Sequence, residues 1–173
     1  MLKSVLIGAA ALTLAGCATV DVANYRSERP PLDLAEYFNG TVDGWGMFQD
    51  RSGQVVRRFT VRIDAKWDGN RGTLDEHFEF SDGEKQNRVW TLVKDGDRYT
   101  GTAGDVVGTG QGIQQGNAFN LRYVLRVPWA GRTIDVDMDD WMWRIDDETV
   151  LNRTAMTKFG FRVGEVTLSL RKR

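Results

Sequence analysis

The stretch Asp139-Asp140-Trp141-Met142-Trp143-Arg144-Ile145-Asp146-Asp147 is followed by Val150-Leu151-Asn152-Arg153-Thr154, Lys158-Phe159-Gly160-Phe161 and Val166-Thr167-Leu168-Ser169-Leu170. Nearly every position in it is a strand former or a turn former, so it reads as the closing strands of an antiparallel β structure. Upstream, Ile134, Val136 and Met138 alternate with Asp135 and Asp137. Phe119, Leu121, Tyr123, Leu125 and Val127 alternate with Asn120, Arg122 and Arg126. Val55, Arg57, Phe59, Val61 and Ile63 alternate with Val56, Arg58, Thr60 and Arg62. A period of two with one apolar set describes strands with one dry and one wet face. Turn signals stand at Asp50-Arg51-Ser52-Gly53, Asp68-Gly69-Asn70, Asp82-Gly83, Asp95-Gly96-Asp97, Ala130-Gly131 and Asp146-Asp147. Long strands in meander order leave an exposed edge unless the sheet closes. The expected fold is therefore all-β: an antiparallel up-and-down barrel of about eight to ten strands, lipocalin-like, with a β-sandwich as the alternative.

The 173 residues carry 41% hydrophobic side chains and a net charge of −1. That supports one sizeable core and gives no electrostatic case for nucleic acid. The first residues read as a leader. Lys3 precedes an apolar run from Val5 to Leu14, too short to span a bilayer and of signal-peptide length. The run ends in Leu14-Ala15-Gly16-Cys17, which matches a bacterial lipobox, and Cys17 is the chain's single cysteine. The expectation is a signal peptide over residues 1–16 and acylation of Cys17. A polar tether then runs over 17–31, and a barrel domain occupies 32–173. Ala18 after the cysteine favours the outer membrane, with the domain facing the periplasm. Each acyl CH₂ contributes on the order of 0.8 kcal/mol of membrane affinity. Leu32–Phe38 fits one or two helical turns and is expected to plug the barrel mouth.

Hairpin register can also be read. With a three-residue turn Ser81-Asp82-Gly83 and Gly83 left-handed, Leu74 falls opposite Trp90 and Glu76 opposite Arg88. This places a carboxylate and a guanidinium together on an otherwise apolar face.

The strings Trp45-Gly46-Met47-Phe48-Gln49-Asp50-Arg51-Ser52-Gly53, Gly72-Thr73-Leu74-Asp75-Glu76, Asp139-Asp140-Trp141-Met142 and Lys158-Phe159-Gly160 carry a resemblance. Over about Leu34 to Leu170 the chain resembles a family of Gram-negative bacterial lipoproteins classified only as a domain of unknown function. The resemblance implies an envelope lipoprotein and no particular activity. Similarity to lipocalins is confined to general shape: Phe38-Asn39-Gly40-Thr41-Val42 stands where their opening Gly-x-Trp element would, without the tryptophan.

Motifs of chemistry are few. His77 lies on the polar face of its strand and reads as a surface residue. Asp139-Asp140 and Asp146-Asp147 read as turn and surface charge, because adjacent strand residues point to opposite faces. Gly108-Thr109-Gly110-Gln111-Gly112 lacks a phosphate-loop ending. Its glycines are expected to let neighbouring aromatics lie against the backbone. Trp141 and Trp143 share a face, expected to be inward and shielded. The expectation is a non-enzymatic protein without cofactor or metal, membrane-attached through its lipid. Its barrel is expected to bind or chaperone a lipid-like small molecule through Glu76, Arg88, Trp90, Tyr123, Trp141 and Trp143. The alternatives are a packed assembly factor with a protein partner, or an enzyme acting on envelope lipid or glycan.

Overall fold

The computed structural model describes residues 20–173; Cys17 and the leader lie outside the described residues. Ten strands follow one another in chain order: β1 (Gly40–Asp50), β2 (Val55–Asp68), β3 (Arg71–Phe80), β4 (Lys85–Asp95), β5 (Arg98–Thr102), β6 (Val106–Gln115), β7 (Ala118–Trp129), β8 (Arg132–Arg144), β9 (Thr149–Lys158) and β10 (Phe161–Lys172). Each pairs antiparallel with the next, and β10 returns to β1, from Val42 opposite Lys172 to Asp50 opposite Gly164. The sheet closes on itself, although β5 is short and leaves residues 85–90 of β4 without a ladder partner on that side. The barrel expectation holds, and the sandwich does not.

The alternation read in the sequence sets the interior. Phe59, Val61, Ile63, Leu74, Trp90, Leu92, Phe119, Leu121 and Val136 are all buried. The β3–β4 register is the expected one, Leu74 opposite Trp90 and Glu76 opposite Arg88. Gly83 has φ +85°, and the Phe80 carbonyl accepts from its N–H. Aromatics do lie on glycine backbone. A Cβ on Gly112 would stand 2.6 Å from the Phe119 ring, and one on Gly46 2.3 Å from Phe59. The glycine alternation of β6 is broken, however. Its register against β7 shifts between Val107 and Gln111, where Gly108 is left-handed and exposed.

One end of the barrel is plugged. Asp33 caps a single helical turn, α1 (Leu34–Tyr37), by accepting from the Ala35 N–H. Leu32, Leu34, Tyr37 and Phe38 are buried against the barrel core. Lys94 reaches across to Asp33. The segment expected as a tether is, in its described part, docked instead. A 3-10 turn at Val22–Tyr25 lies on the outer wall, with Val22 buried beside Ala118 and Trp141. The Arg26 guanidinium donates to Gln115 at 2.9 Å, and the Leu32 N–H to the Gly116 carbonyl. Apolar Val22 and aromatic Tyr25 cover wall that β7 and β8 would otherwise expose.

Candidate functional site

β3, β4, β7, β8 and β9 each send polar side chains into the barrel among apolar neighbours. Arg88 stands at the centre. Its Nε and Nη2 donate to Asp105 at 3.0 and 2.7 Å, a bidentate pair. Its Nη1 lies 3.7 Å from Glu76 Oε2, beyond hydrogen-bond range. That oxygen is buried and has no hydrogen-bond partner. Asp140 accepts from the Asn152 amide and from Thr154. The Tyr123 ring meets Trp90 edge to face at 5.2 Å. A cavity of about 130 Å³ is lined by Glu76, Arg88, Trp90, Tyr123, Asp140 and Asn152, with apolar side chains between them.

The cluster holds more negative charge than positive. Asp105 already engages Arg88, and two further carboxylates face the same space. Burial raises the Glu76 carboxyl to about 7; attraction to Arg88 works against this, and repulsion from Asp140 adds to it. Burial likewise raises Asp140 to about 6, against the hydrogen bonds from Asn152 and Thr154. Burial opposes the charged form of Arg88, but Asp105 and Glu76 hold it firmly protonated. Burial also pushes the Tyr123 hydroxyl well above its usual range. Near neutral pH the two surplus carboxyls are therefore poised between proton-bound and ionised forms.

Of the residues read from the sequence, Glu76, Arg88, Trp90 and Tyr123 line this cavity. Trp141 and Trp143 do not, which corrects the inward expectation. On β8 the inward set is Val136, Met138, Asp140, Met142 and Arg144, so the intervening tryptophans face out. They stack on one another at 5.6 Å, and Tyr25 covers both at about 6 Å. They are shielded, but by the N-terminal segment. Trp141→Ala should consequently cost less than the roughly 3–5 kcal/mol of a core truncation, while loosening residues 20–31. Faster tryptic cleavage at Arg26 checks this, and unchanged cleavage would place the segment's hold elsewhere.

Asp140 is corrected as well: it is buried, not surface charge. Asp139, its neighbour, does face out, where it accepts from Asn120. Asp105, Asn152 and Thr154 were missed. Asn152 and Thr154 share the inward parity of buried Val150, a signal present in the sequence. Asp105 lies between β5 and β6, where no periodicity places it. Asp146-Asp147 does form a turn, with Asp146 accepting from the Glu148 and Thr149 N–H groups. His77 is exposed. Among the described residues, no group of three or more His, Cys, Asp or Glu side chains is placed to hold a metal ion.

The sequence matches the family described as "Protein of unknown function (DUF3833)" over residues 11–172. The chain belongs to that family. No curated protein matches it. Among solved structures, it is similar to a protein of unknown function from the DUF3598 family of Nostoc punctiforme, with a TM-score of 0.61 and 15% identity. That match covers 84% of this chain and 51% of the other, so the chain spans about half the length of this relative. It is also similar to the S-type phycobiliprotein lyase CPES from Guillardia theta, with a TM-score of 0.58 and 14% identity, over 81% of this chain and 91% of that one. At these identities the likeness is one of fold.

Proposed function

We propose that this chain is an envelope lipoprotein, acylated at Cys17 and held at the outer membrane facing the periplasm. In this reading its barrel binds or chaperones an amphipathic molecule without chemistry. The observation that supports it is the buried, unpartnered Glu76 oxygen beside Arg88, within an otherwise apolar cavity. A buried polar atom without a partner is costly, and a ligand group that donates a hydrogen bond removes that cost. Because carboxylates outnumber the one guanidinium, the ligand's polar end is a hydroxyl or a cation rather than an anion. The cavity is small against the roughly 300–1,000 Å³ of ordinary small-molecule sites. It admits a polar end or a single slender chain, not a bulky ring system.

The small volume also favours a second reading, a packed assembly factor. Its contact surface would be the outer hollow of about 820 Å³ lined by Trp45, Met47, Trp143 and Leu151. Trp45 and Leu151 are exposed there, at 52% and 45%. A third reading, catalysis on lipid or glycan, draws on Glu76 and Asp140, whose raised values suit proton transfer near neutrality. The phycobiliprotein lyase is named as a lyase, so the barrel shape by itself does not separate binding from chemistry.

Native mass spectrometry of protein extracted from membranes decides between the first two readings. A co-purifying small molecule lost from Glu76→Gln supports the binding barrel. A bare mass, together with a protein partner lost from Trp45→Ser, supports the assembly factor. For the anchor, Cys17→Ser should abolish incorporation of labelled palmitate; incorporation that persists in the variant removes the lipobox reading.

A further inference from the structure

The end of the barrel opposite α1 has an unusual rim. Phe159 is 84% exposed, Phe161 76% and Trp129 56%. All three sit at the tips of neighbouring hairpins, β7–β8 and β9–β10. Each tip is a two-residue loop with both central residues left-handed: Ala130 at φ +49° with Gly131 at +76°, and Phe159 at +52° with Gly160 at +78°. This turn type favours Asn-Gly or Gly-Gly. A phenylalanine in the left-handed region is a strained choice, and here it points a large ring at solvent. Strain kept together with exposure marks a ring needed outside the fold.

The charge within the two tips themselves is of one sign. Residues 127–134 and 157–164 contain Arg132, Lys158 and Arg162 and no acidic residue, in a chain whose net charge is −1. The Arg132 guanidinium lies 5.3 Å from the Trp129 ring and the Lys158 ammonium 4.8 Å from the Phe159 ring. The nearest acids along these strands stand back from the tips. Asp135 pairs with Arg126 at 3.2 Å, and Glu165 with Arg153 at 2.6 Å and with Arg162. Aromatic rings with basic side chains beside them suit a boundary between acyl chains and anionic headgroups.

We propose that these two hairpin tips form a membrane-docking surface, which seats the uncovered end of the barrel on an anionic lipid bilayer. The start of the described chain fits this orientation. Val20 borders the same surface hollow as Asp139, Arg153 and Ala155, on the wall that leads to the β9–β10 tip. Ala155 lies four residues before Phe159, about 13 Å along a strand. Cys17 is three residues before Val20, a reach of about 10 Å. An acyl group on Cys17 and the rings of the tips can thus enter one bilayer. The docking surface stands apart from the ligand reading; only the agreement with Cys17 rests on the lipoprotein reading. Two weak signals together hold a protein at a membrane where one is marginal.

The test uses the full chain carrying Cys17→Ser, which removes acylation, and the same chain with Trp129→Ser, Phe159→Asn and Phe161→Ser added. Both are floated with vesicles of phosphatidylcholine, with and without phosphatidylglycerol. The leader is common to both, so any difference reports the tips. The expected result is binding that rises with phosphatidylglycerol, falls with salt, and drops about tenfold or more in the tip variant. Phe159→Asn alone should raise the melting temperature, because asparagine accepts the left-handed backbone, so weaker binding cannot be laid to misfolding. In a second readout, brominated lipid should quench tryptophan emission in the parent, and a large part of that quenching should vanish in Trp129→Tyr. Equal flotation of parent and tip variant, or unchanged quenching in Trp129→Tyr, overturns the proposal. Palmitate labelling of Cys17 is read independently, so failure of the anchor and failure of the docking surface are distinguishable.

Discussion

Arg88→Met is expected to lower stability by about 3–5 kcal/mol, because it strands buried carboxylates without their cation. Glu76→Gln is expected to behave differently, since Glu76 belongs to the surplus of negative charge. Its folded carboxyl titrates at about 7, above its ordinary value of 4.5. The folded state therefore binds a proton that the unfolded state releases first. The stabilisation is complete below about pH 4.5 and is lost as pH rises through 7. Asp140, raised from 3.8 to about 6, acts in the same direction in a lower window. The wild type should thus lose up to about 3 kcal/mol from Glu76 between pH 4.5 and 8, and Glu76→Gln should flatten that decline. At pH 5 the substitution costs stability, because the protonated carboxyl it replaces is already accommodated. At pH 8 it is neutral or stabilising. Chemical denaturation at both pH values, with the double-mutant cycle to Arg88→Met, measures this. A pH-independent cost of Glu76→Gln, or additive small effects in the cycle, would mean that the pair is solvated and the cluster is not the buried site described.

Arg144→Met is the second large effect. Arg144 ends β8 on the inward parity, and its side chain is only 10% exposed. Its guanidinium donates to the carbonyls of Pro31, Asp146 and Asp147 and to the Glu36 carboxylate, at 3.0 to 3.3 Å. One side chain thus ties the entry segment, the plug and the β8–β9 turn together. Tyr37 adds a bond from its hydroxyl to the Glu148 carbonyl, and burial raises that hydroxyl to about 12. Replacing Arg144 leaves several carbonyls unpaired at a buried junction, a loss of about 3 kcal/mol. For a chain of this size that is about 6–12 °C in melting temperature. Hydrogen exchange should also quicken across residues 32–38 before the strands open. If neither the melting temperature nor the exchange of that segment changes, the plug is held by its apolar contacts alone.

Strand parity was legible wherever no bulge interrupts the ladder, which excludes β6, and on β8 it decides more than it was asked to. Counting by two from Ile134 through Met138 places Asp140 inside and both tryptophans outside. The expectation that both tryptophans face inward ran against the count, and the count was right, because an unbroken ladder from Ala118–Trp143 to Trp129–Arg132 allows no slip between faces. The indoles are shielded all the same, since Val22 and Tyr25 fold back over them. That contact joins residues more than a hundred apart, and no local pattern announces it. The Glu76–Arg88 pairing was legible for the opposite reason: a glycine turn fixes a register over a few residues, and the register fixes who faces whom.

By itself, the sequence determined the closed antiparallel barrel, the interior set of most strands, the plug at Leu32–Phe38 and the meeting of Glu76 with Arg88. These depend on periodicity and turn chemistry, which act between near neighbours. The tertiary structure decided that Arg88 is held by Asp105, from the β5–β6 loop, which carries no periodic signal. It also brought Asp140, Asn152 and Thr154 into the same space and left the Glu76 oxygen without a partner. Charge balance in a barrel is a sum over all its staves, and only closure of the sheet brings those side chains close enough, in low enough dielectric, for the sum to matter.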